Sequence, residues 1–442
     1  MIKKLMTSSA LLLTTMNPTV ANLKTDWESI LGNYNLTPKY HAFCYAGPGG
    51  EVKGSNPNMK IRLASVSKLV TSYWALEKLG VDYQYKSEFY LDGKHLHIAG
   101  DLDPIYSKRK LFFLLSQLNN LGITELDKIT FDKNVIVYTN AEGYTGNILK
   151  MTTSRTATNL KDFFHTPDWN LLKAAYKEFI KTTPVEVIDH LEIRESLDDL
   201  DLSVKSVSFV DKNPLAENTD AKKVIHLSPV IVKYLKAMNI KSNNFIADQV
   251  FNKLGGEAEF DKFIEEKIKN WLPNLDIDRS NFGKNEKSIK LYSGSGLPEY
   301  KNKLRLDNHA TCSIIVKVIE EMDKKLDEVG KSLQKIVAVS GSDIDKSGPT
   351  QSTIRSRFLS PNVKDSIMVK TGTLYHTSTL AGKVSAANGS QYFGIFHQLR
   401  GWKGHAKASQ DEIVEQLVKT YGGAQKVDYQ KEFFFPAYEV MR

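Results

Sequence analysis

Apolar and polar positions along the chain alternate between a strand period and a helix period. Tyr40 to Ala46 reads as a strand, and Gly47 to Gly50 as a turn. Ile61 to Gly80 then opens a helix rich in Leu, Val and Ala that stops at Gly80. From about residue 85 the runs shorten. Glu88 to Leu91, Leu96 to Ala99, Ile129 to Phe131 and Val135 to Val137 read as strands around one helix, Lys110 to Leu121. Tyr138 to Thr183 is polar and irregular, with a helical piece at Trp169 to Ile180. Val185 to Ile193 and Val204 to Val210 read as further strands before the loop Asp211 to Lys222. Helical patterning covers Val224 to Lys269 and Ala310 to Lys335. Ser366 to Leu374 is a strand. Ser378 to Ala387 pairs with Gln391 to Leu399 across Asn388-Gly389, and the amphipathic helix Ala406 to Tyr421 closes the pattern.

An early strand that shares a sheet with a C-terminal hairpin implies a domain divided in sequence. The expected layout is therefore residues 22–84 and 225–442 as one discontinuous domain, with 85–224 inserted as a smaller, β-rich α+β domain. At 442 residues, 41% hydrophobic and 25% charged, the chain is long enough for two or three domains. Its N-terminus has the form of a secretory signal: Lys3 and Lys4, an apolar run from Leu5 to Met16, and Thr19-Val20-Ala21 before a cut at Asn22. That run is too short to span a bilayer, which takes about 20 apolar residues. Residues 1–21 thus read as a cleaved signal peptide and the mature chain as periplasmic, without stable membrane insertion.

The net charge of +8 is spread along the chain and forms no basic arm. Nucleic acid is a poor fit, while an anionic polymer such as cell-wall material suits a mildly basic surface. The two cysteines, Cys44 and Cys312, are far apart and each sits among apolar residues, so they are expected to be buried free thiols. They lack the spacing of a zinc site. His95 and His97 would share one face of a strand but have no carboxylate pattern beside them, so they read as a solvated pair; no metal or cofactor is expected.

Three short motifs follow in order: Ser65-Val-Ser-Lys68, Ser242-Asn-Asn244 and Lys370-Thr-Gly372. Alone the first means little, because Ser-x-x-Lys recurs at Ser107 to Lys110 and at Ser332 to Lys335. Ser-x-Asn also recurs, at Ser360 to Asn362. Ser65 stands apart because it begins an apolar helix. There Lys68 falls on the same face and the helix N-terminus favours an alkoxide. Lys370-Thr-Gly372 ends an apolar strand, and its glycine lets a ligand approach the backbone. The set, in this order and on these elements, is that of serine β-lactamases and penicillin-binding proteins.

The similarity extends further. Leu63-Ala-Ser-Val-Ser-Lys-Leu-Val-Thr resembles the active-site helix of the low-molecular-mass class C penicillin-binding proteins, the penicillin-binding protein 4 type. Ser242-Asn-Asn-Phe-Ile-Ala-Asp, Val369-Lys-Thr-Gly-Thr-Leu with Leu380-Ala-Gly, and Gly294-Ser-Gly-Leu297 are similar to that group's other segments. So is Gly-Asp-Leu-Asp-Pro104, at the start of its inserted domain. Two departures stand out. Ser293 and Pro298-Glu299 replace the expected Asp and Ser-Arg around the Gly-Ser-Gly-Leu turn. The stretch between Ser65 and Ser242 is also short, so one of the group's two nested inserted domains is missing or reduced.

The resemblance implies an α/β (α+β) serine β-lactamase/DD-peptidase-like domain, an antiparallel sheet flanked by helices. It also implies a D-alanyl-D-alanine carboxypeptidase or endopeptidase acting on peptidoglycan peptides and acylated by β-lactams. In it Ser65 is the nucleophile and Lys68 its base. Lys370 supplies positive charge, Ser242 relays a proton to the leaving amine, and Asn244 binds the substrate amide and steadies Lys68. Thr371, Gly372 and Thr373 bind substrate, and the backbone N–H groups of Ser65 and Thr373 form the oxyanion hole. A β-lactamase, and a wall-binding protein of the same fold with little turnover, are the alternatives. The motifs do not choose between trimming terminal D-Ala and cutting D-alanyl-diaminopimelate cross-links. A reduced insertion, leaving a more open cleft, favours bulky cross-linked substrates.

Overall fold

A computed structural model describes residues 23–441 except 142–143, 145, 148–149, 165–168, 184, 191, 272–285, 344–351, 400–402 and 430–438. The signal-like segment therefore lies outside the described residues. The chain begins with α1 (Leu23–Asn33), β1 (His41–Ala46), β2 (Lys53–Ser55), β3 (Lys60–Arg62) and α2 (Ser67–Leu79). Next come β4 (Gln84–Asp92), β5 (His95–Ala99), α3 (Lys108–Asn120), β6 (Glu125–Leu126), β7 (Lys128–Phe131), α4 (Thr153–Phe164), α5 (Trp169–Thr182), α6 (Val185–His190), β8 (Ser203–Val204), β9 (Val207–Phe209) and β10 (Lys222–Val230). The remainder is α7 (Ile231–Lys241), α8 (Asn244–Lys253), α9 (Gly256–Trp271), β11 (Glu299–Lys301), β12 (Leu304–Leu306), β13 (His309–Thr311), α10 (Cys312–Asp327), β14 (Ala338–Val339), β15 (Ile367–Leu374), β16 (Thr377–Val384), β17 (Gln391–Gln398), α11 (Lys403–Thr420) and β18 (Glu439–Met441).

The main sheet has the order β14-β15-β16-β17-β1-β2, antiparallel throughout. The N-terminal strand β1 does pair with the C-terminal hairpin, His41 opposite His397 and Ala46 opposite Tyr392. Both faces of this sheet are covered, and the side-chain period of two divides each strand between two cores. Phe43 and Tyr45 pack with Trp27 of α1 and with Ile413 and Leu417 of α11. Ala42, Cys44 and Ala46 face the opposite way, toward α2, α7, α8 and α10. A second sheet, β18-β10-β4-β5-β7-β9, packs against α3 and its neighbours around Phe112, Leu115, Ile129 and Phe131. The fold is the mixed α/β arrangement expected.

Several local expectations are corrected. Val185 to Ile193, read as a strand, begins as helix α6. Ile188 packs there beside Tyr176 and Phe179, and a short apolar run carries too little periodicity to distinguish strand from helix. Val224 to Val230, read as helical, is strand β10. Its pairing with β4 shifts register between Leu227 and Val230, where Pro229 has no N–H to donate. Val135 to Val137 forms no strand. Within the stretch read as irregular, α4 is an amphipathic helix burying Leu160, Phe163 and Phe164. Helix α2 is shorter than the apolar run suggested, because Lys60–Arg62 pairs with β13 and Ala64–Val66 forms a 3₁₀ turn.

The cysteines are also corrected: Cys44 and Cys312 form a disulfide, with Cα atoms 6.1 Å apart across 268 residues. Cys312 is the first residue of α10, which lies across β1, and two buried thiols so placed are within bonding geometry. Separation in sequence carried no information about this.

Candidate active site

Ser65 lies in the 3₁₀ turn Ala64–Val66 that leads into α2, half-buried at the turn's outer side. Ala64 adopts φ 47°, a left-handed conformation unusual for alanine and a strain held only where the surroundings fix it. Those surroundings are two glycines. Gly296 comes so close to the Ala64 carbonyl that no side chain fits. A Cβ on Gly372 of β15 would stand 2.9 Å from the Ser65 nitrogen and 3.0 Å from the Leu63 carbonyl oxygen. Thr379 Oγ1 of β16 donates to that same Leu63 carbonyl at 3.0 Å. Strand β15, the Ser65 turn and the 294–297 turn are thus pressed together with no intervening side chain.

Lys68, one helical turn on, is fully buried. Its Nζ donates to Asn244 Oδ1 at 2.8 Å and to the Ser295 carbonyl at 2.8 Å, and lies 3.1 Å from Ser65 Oγ. A neutral amine has two N–H donors and one lone pair. With both donors taken by two oxygens, the lone pair is left facing the Ser65 hydroxyl. Burial lowers the Lys68 pKa to about 7, opposed by the negative charge of Asp248. The chief cause is therefore burial.

Lys370, also buried on β15, lies 3.0 Å from Ser242 Oγ and donates to the Thr371 carbonyl at 2.7 Å. Burial depresses it well below the usual lysine range, and the charge of Lys68 adds to this. Ser242 ends α7 in the left-handed conformation, φ 54° and ψ 41°, which turns its hydroxyl toward β15 before α8 begins at Asn244. Asn243 caps α8 by accepting from the Ile246 N–H at 2.9 Å. Ser65, Lys68 and Asn244 thus form one hydrogen-bonded group and Ser242 with Lys370 a second, close enough that the charge of Lys68 acts on Lys370. Thr371 is half-buried and Thr373 exposed beside it, on either side of Gly372.

Several residues here had no signal of their own in the sequence. Asn244 Nδ2 donates to the Gly146 carbonyl at 2.9 Å, and Asn243 Nδ2 to the Ala141 carbonyl at 2.7 Å. Tyr138 packs against Phe245 with tilted rings, their centroids 5.0 Å apart. The stretch after β7 therefore grips the Ser-Asn-Asn segment from one side. Asn308 accepts from the N–H groups of Tyr292 and Ser293 and donates to Ser67 Oγ at 2.9 Å, fixing the 294–297 turn against α2. Asp248 accepts from the Ser295 N–H at 2.8 Å. These contacts join residues distant in sequence, so no local spacing announces them.

The competing motifs are placed elsewhere. Lys110 is buried against Asp103 at 2.9 Å and Ser87 at 3.0 Å, with Tyr234 also donating to Asp103, a structural cluster far from Ser65 in role. His95 and His97, expected to be solvated, share the hydroxyl of Thr130 at 2.8 and 3.0 Å, and His97 is buried.

Similarity to known proteins follows the same outline. A structure of Bd3459, a predatory peptidoglycan endopeptidase from Bdellovibrio bacteriovorus, superposes with TM-score 0.74 at 27% identity, covering 89% of this chain and 96% of that one. Its penicillin G acylated form, in complex with the immunity protein Bd3460, gives TM-score 0.70 at 27% identity over 89% and 96%. Penicillin-binding protein 4 of Haemophilus influenzae shares the fold, with TM-score 0.55 at 15% identity over 89% and 99%. No curated protein matches by sequence. The profile of one peptidase family matches residues 48–151 and 199–420, a span that takes in all three motifs, and the chain accordingly belongs to the D-Ala-D-Ala carboxypeptidase 3 (S13) family.

Proposed function

We propose that this serine peptidase of peptidoglycan uses Ser65 as its nucleophile and acts as an endopeptidase on peptide cross-links. The observation that carries the reading is the Lys68 amine, whose two donors are occupied while its remaining valence faces Ser65 Oγ. Lys68 takes the Ser65 proton as the oxygen attacks the D-alanyl carbonyl. The backbone N–H groups of Ser65 and Thr373 receive the oxyanion. Ser242, held by Lys370, returns a proton to the leaving amine, and an acyl-enzyme forms at Ser65. Thr371 and Thr373 bind the substrate carboxylate beside Lys370, and that negative charge raises the Lys370 pKa toward its charged form. Asn244 gives its amide to the substrate. Water then releases the acyl group.

Cross-link cutting is supported by the endopeptidase neighbours, of which this fold covers nearly the whole length, and by the short insertion, taken as residues 85–224 within a peptidase domain of 22–84 and 225–442. A β-lactam presents a mimic of the scissile amide to Ser65 and is a covalent inhibitor. The disulfide between Cys44 and Cys312 suits an oxidising compartment, in keeping with export through a cleaved signal at residues 1–21 into the periplasm.

One experiment with two readouts tests this. Purified wild type should take up fluorescent penicillin and convert cross-linked muropeptide dimers to monomers, while Ser65→Ala should do neither. Equal labelling of both proteins would sink the nucleophile. Release of free D-Ala with dimers left intact would make the enzyme a carboxypeptidase instead.

A further inference from the structure

Asp248 lies on α8 one turn beyond Asn244, so its carboxyl and the Asn244 amide leave the helix on the same side. It is 4% exposed. One oxygen accepts from the Ser295 N–H at 2.8 Å. The other, Oδ2, is buried with no hydrogen-bond partner among the described residues. A carboxylate buried in this way is costly unless an opposite charge lies near it, and Lys68 is close enough for its charge to lower the Asp248 pKa. The carbonyl of the same residue accepts from Lys68 Nζ at 2.8 Å. Ser295 is therefore held through its N–H by a carboxyl and through its C=O, in the next peptide unit, by the catalytic amine. Gly294 permits this, since a Cβ there would collide with the Ala247 carbonyl of α8.

We infer that Asp248 is a positioning residue for Lys68: it fixes the Ser295 carbonyl that orients the amine, and its charge stabilises the ammonium formed when Ser65 gives up its proton. The inference rests on the reading of Lys68 as the base for Ser65. During acylation the Ser65 O–H bond breaks, its proton passes to Lys68 Nζ, and a fully buried positive charge appears where water cannot solvate it. The buried carboxylate of Asp248, on the far side of Ser295, is the compensating charge. Burial holds the Asp248 carboxyl up at about 6 and Lys68 down at about 7, so the carboxylate is present where the amine becomes available. Beyond the pair itself, Glu299 of β11 opposes ionisation of Asp248, and a charge on Lys68 in turn pushes Lys370 of β15 down.

The test is the pH profile of acylation by a fluorescent penicillin, with full-length mature protein. In wild type the rate should rise through about pH 7 as Lys68 loses its proton. In Asp248→Asn, which can still accept from the Ser295 N–H, the acid limb should move down by about one pH unit and the plateau fall by about tenfold. Asp248→Glu should restore the limb. A limb in Asp248→Asn unmoved from wild type, with only the plateau or the melting temperature lowered, would make Asp248 merely structural. Failure of wild type to acylate at Ser65 would strike the base assignment instead, and so is distinguishable.

Discussion

Gly372 lacks a side chain because β15 runs directly against the Ser65 turn. A methyl group there would meet Thr379 Oγ1, the Ser65 nitrogen and the Leu63 carbonyl together. The strand and the turn would have to separate by several tenths of an ångström, and nucleophile and oxyanion donors would separate with them. Gly372→Ala should therefore retain the fold and yet acylate about tenfold more slowly, since a displacement of about 1 Å at reacting atoms costs about a hundredfold and this one is smaller. Stopped-flow labelling with penicillin measures it; an unchanged rate would mean that the close approach has no catalytic consequence. Lys68 and Lys110 show how little residue type says at this scale. Both are buried and both follow a Ser-x-x-Lys spacing, but Lys110 is neutralised by Asp103 at 2.9 Å while Lys68 meets oxygens that bear no full charge. Only the second arrangement leaves a lysine able to act as a base near neutral pH.

Among the elements, β1 and α10 carry the site's frame. Helix α10 packs over β1 and β17, and the Cys44–Cys312 disulfide joins the first strand of the main sheet to the start of that helix. Because it closes a loop of 268 residues, its loss should cost about 2–5 kcal/mol, mainly by releasing the unfolded chain. Calorimetry of Cys44→Ala/Cys312→Ala against wild type should show a lowered melting temperature with penicillin labelling preserved at room temperature, since neither sulfur reaches Ser65. Equal melting temperatures would show that packing of α10 alone holds the frame.

Over the whole molecule, five buried histidines among the described residues set the response to acid. Burial lowers His41 and His97 to about 4, lowers His309 as well, and holds His226 and His397 well below the ordinary value. The unfolded chain binds these protons near pH 6.5, while the folded protein refuses them. Their contribution is thus present above pH 6.5 and lost as pH falls toward the folded values, by about 1.4 kcal/mol per pH unit for each. Asp248, raised to about 6, takes up a proton in the folded state and offsets one of them. Urea denaturation should accordingly give a lower midpoint at about pH 5.5 than at about pH 7.5. The reverse order would show that these histidines titrate freely in the native fold.

Local sequence determined the three motifs, the strand–turn–helix setting of Ser65, and the β15–β16–β17 hairpin run. Each depends on neighbours within a few residues, where side-chain period and turn chemistry are decisive. It also carried the pairing of β1 with the C-terminal strands, because an apolar strand so far from its partners has to be closed into a sheet. Tertiary structure alone decided the rest. The disulfide, the second acceptor on Lys68 from Ser295, the carboxyl of Asp248 and the grip of Gly146 on Asn244 all join segments far apart in the chain. The helix at Val185–His190 and the strand at Lys222–Val230 were settled by what packs or pairs beside them, not by propensity. Sequence named the groups that react; their protonation depends on burial, and burial exists only once the layers have closed.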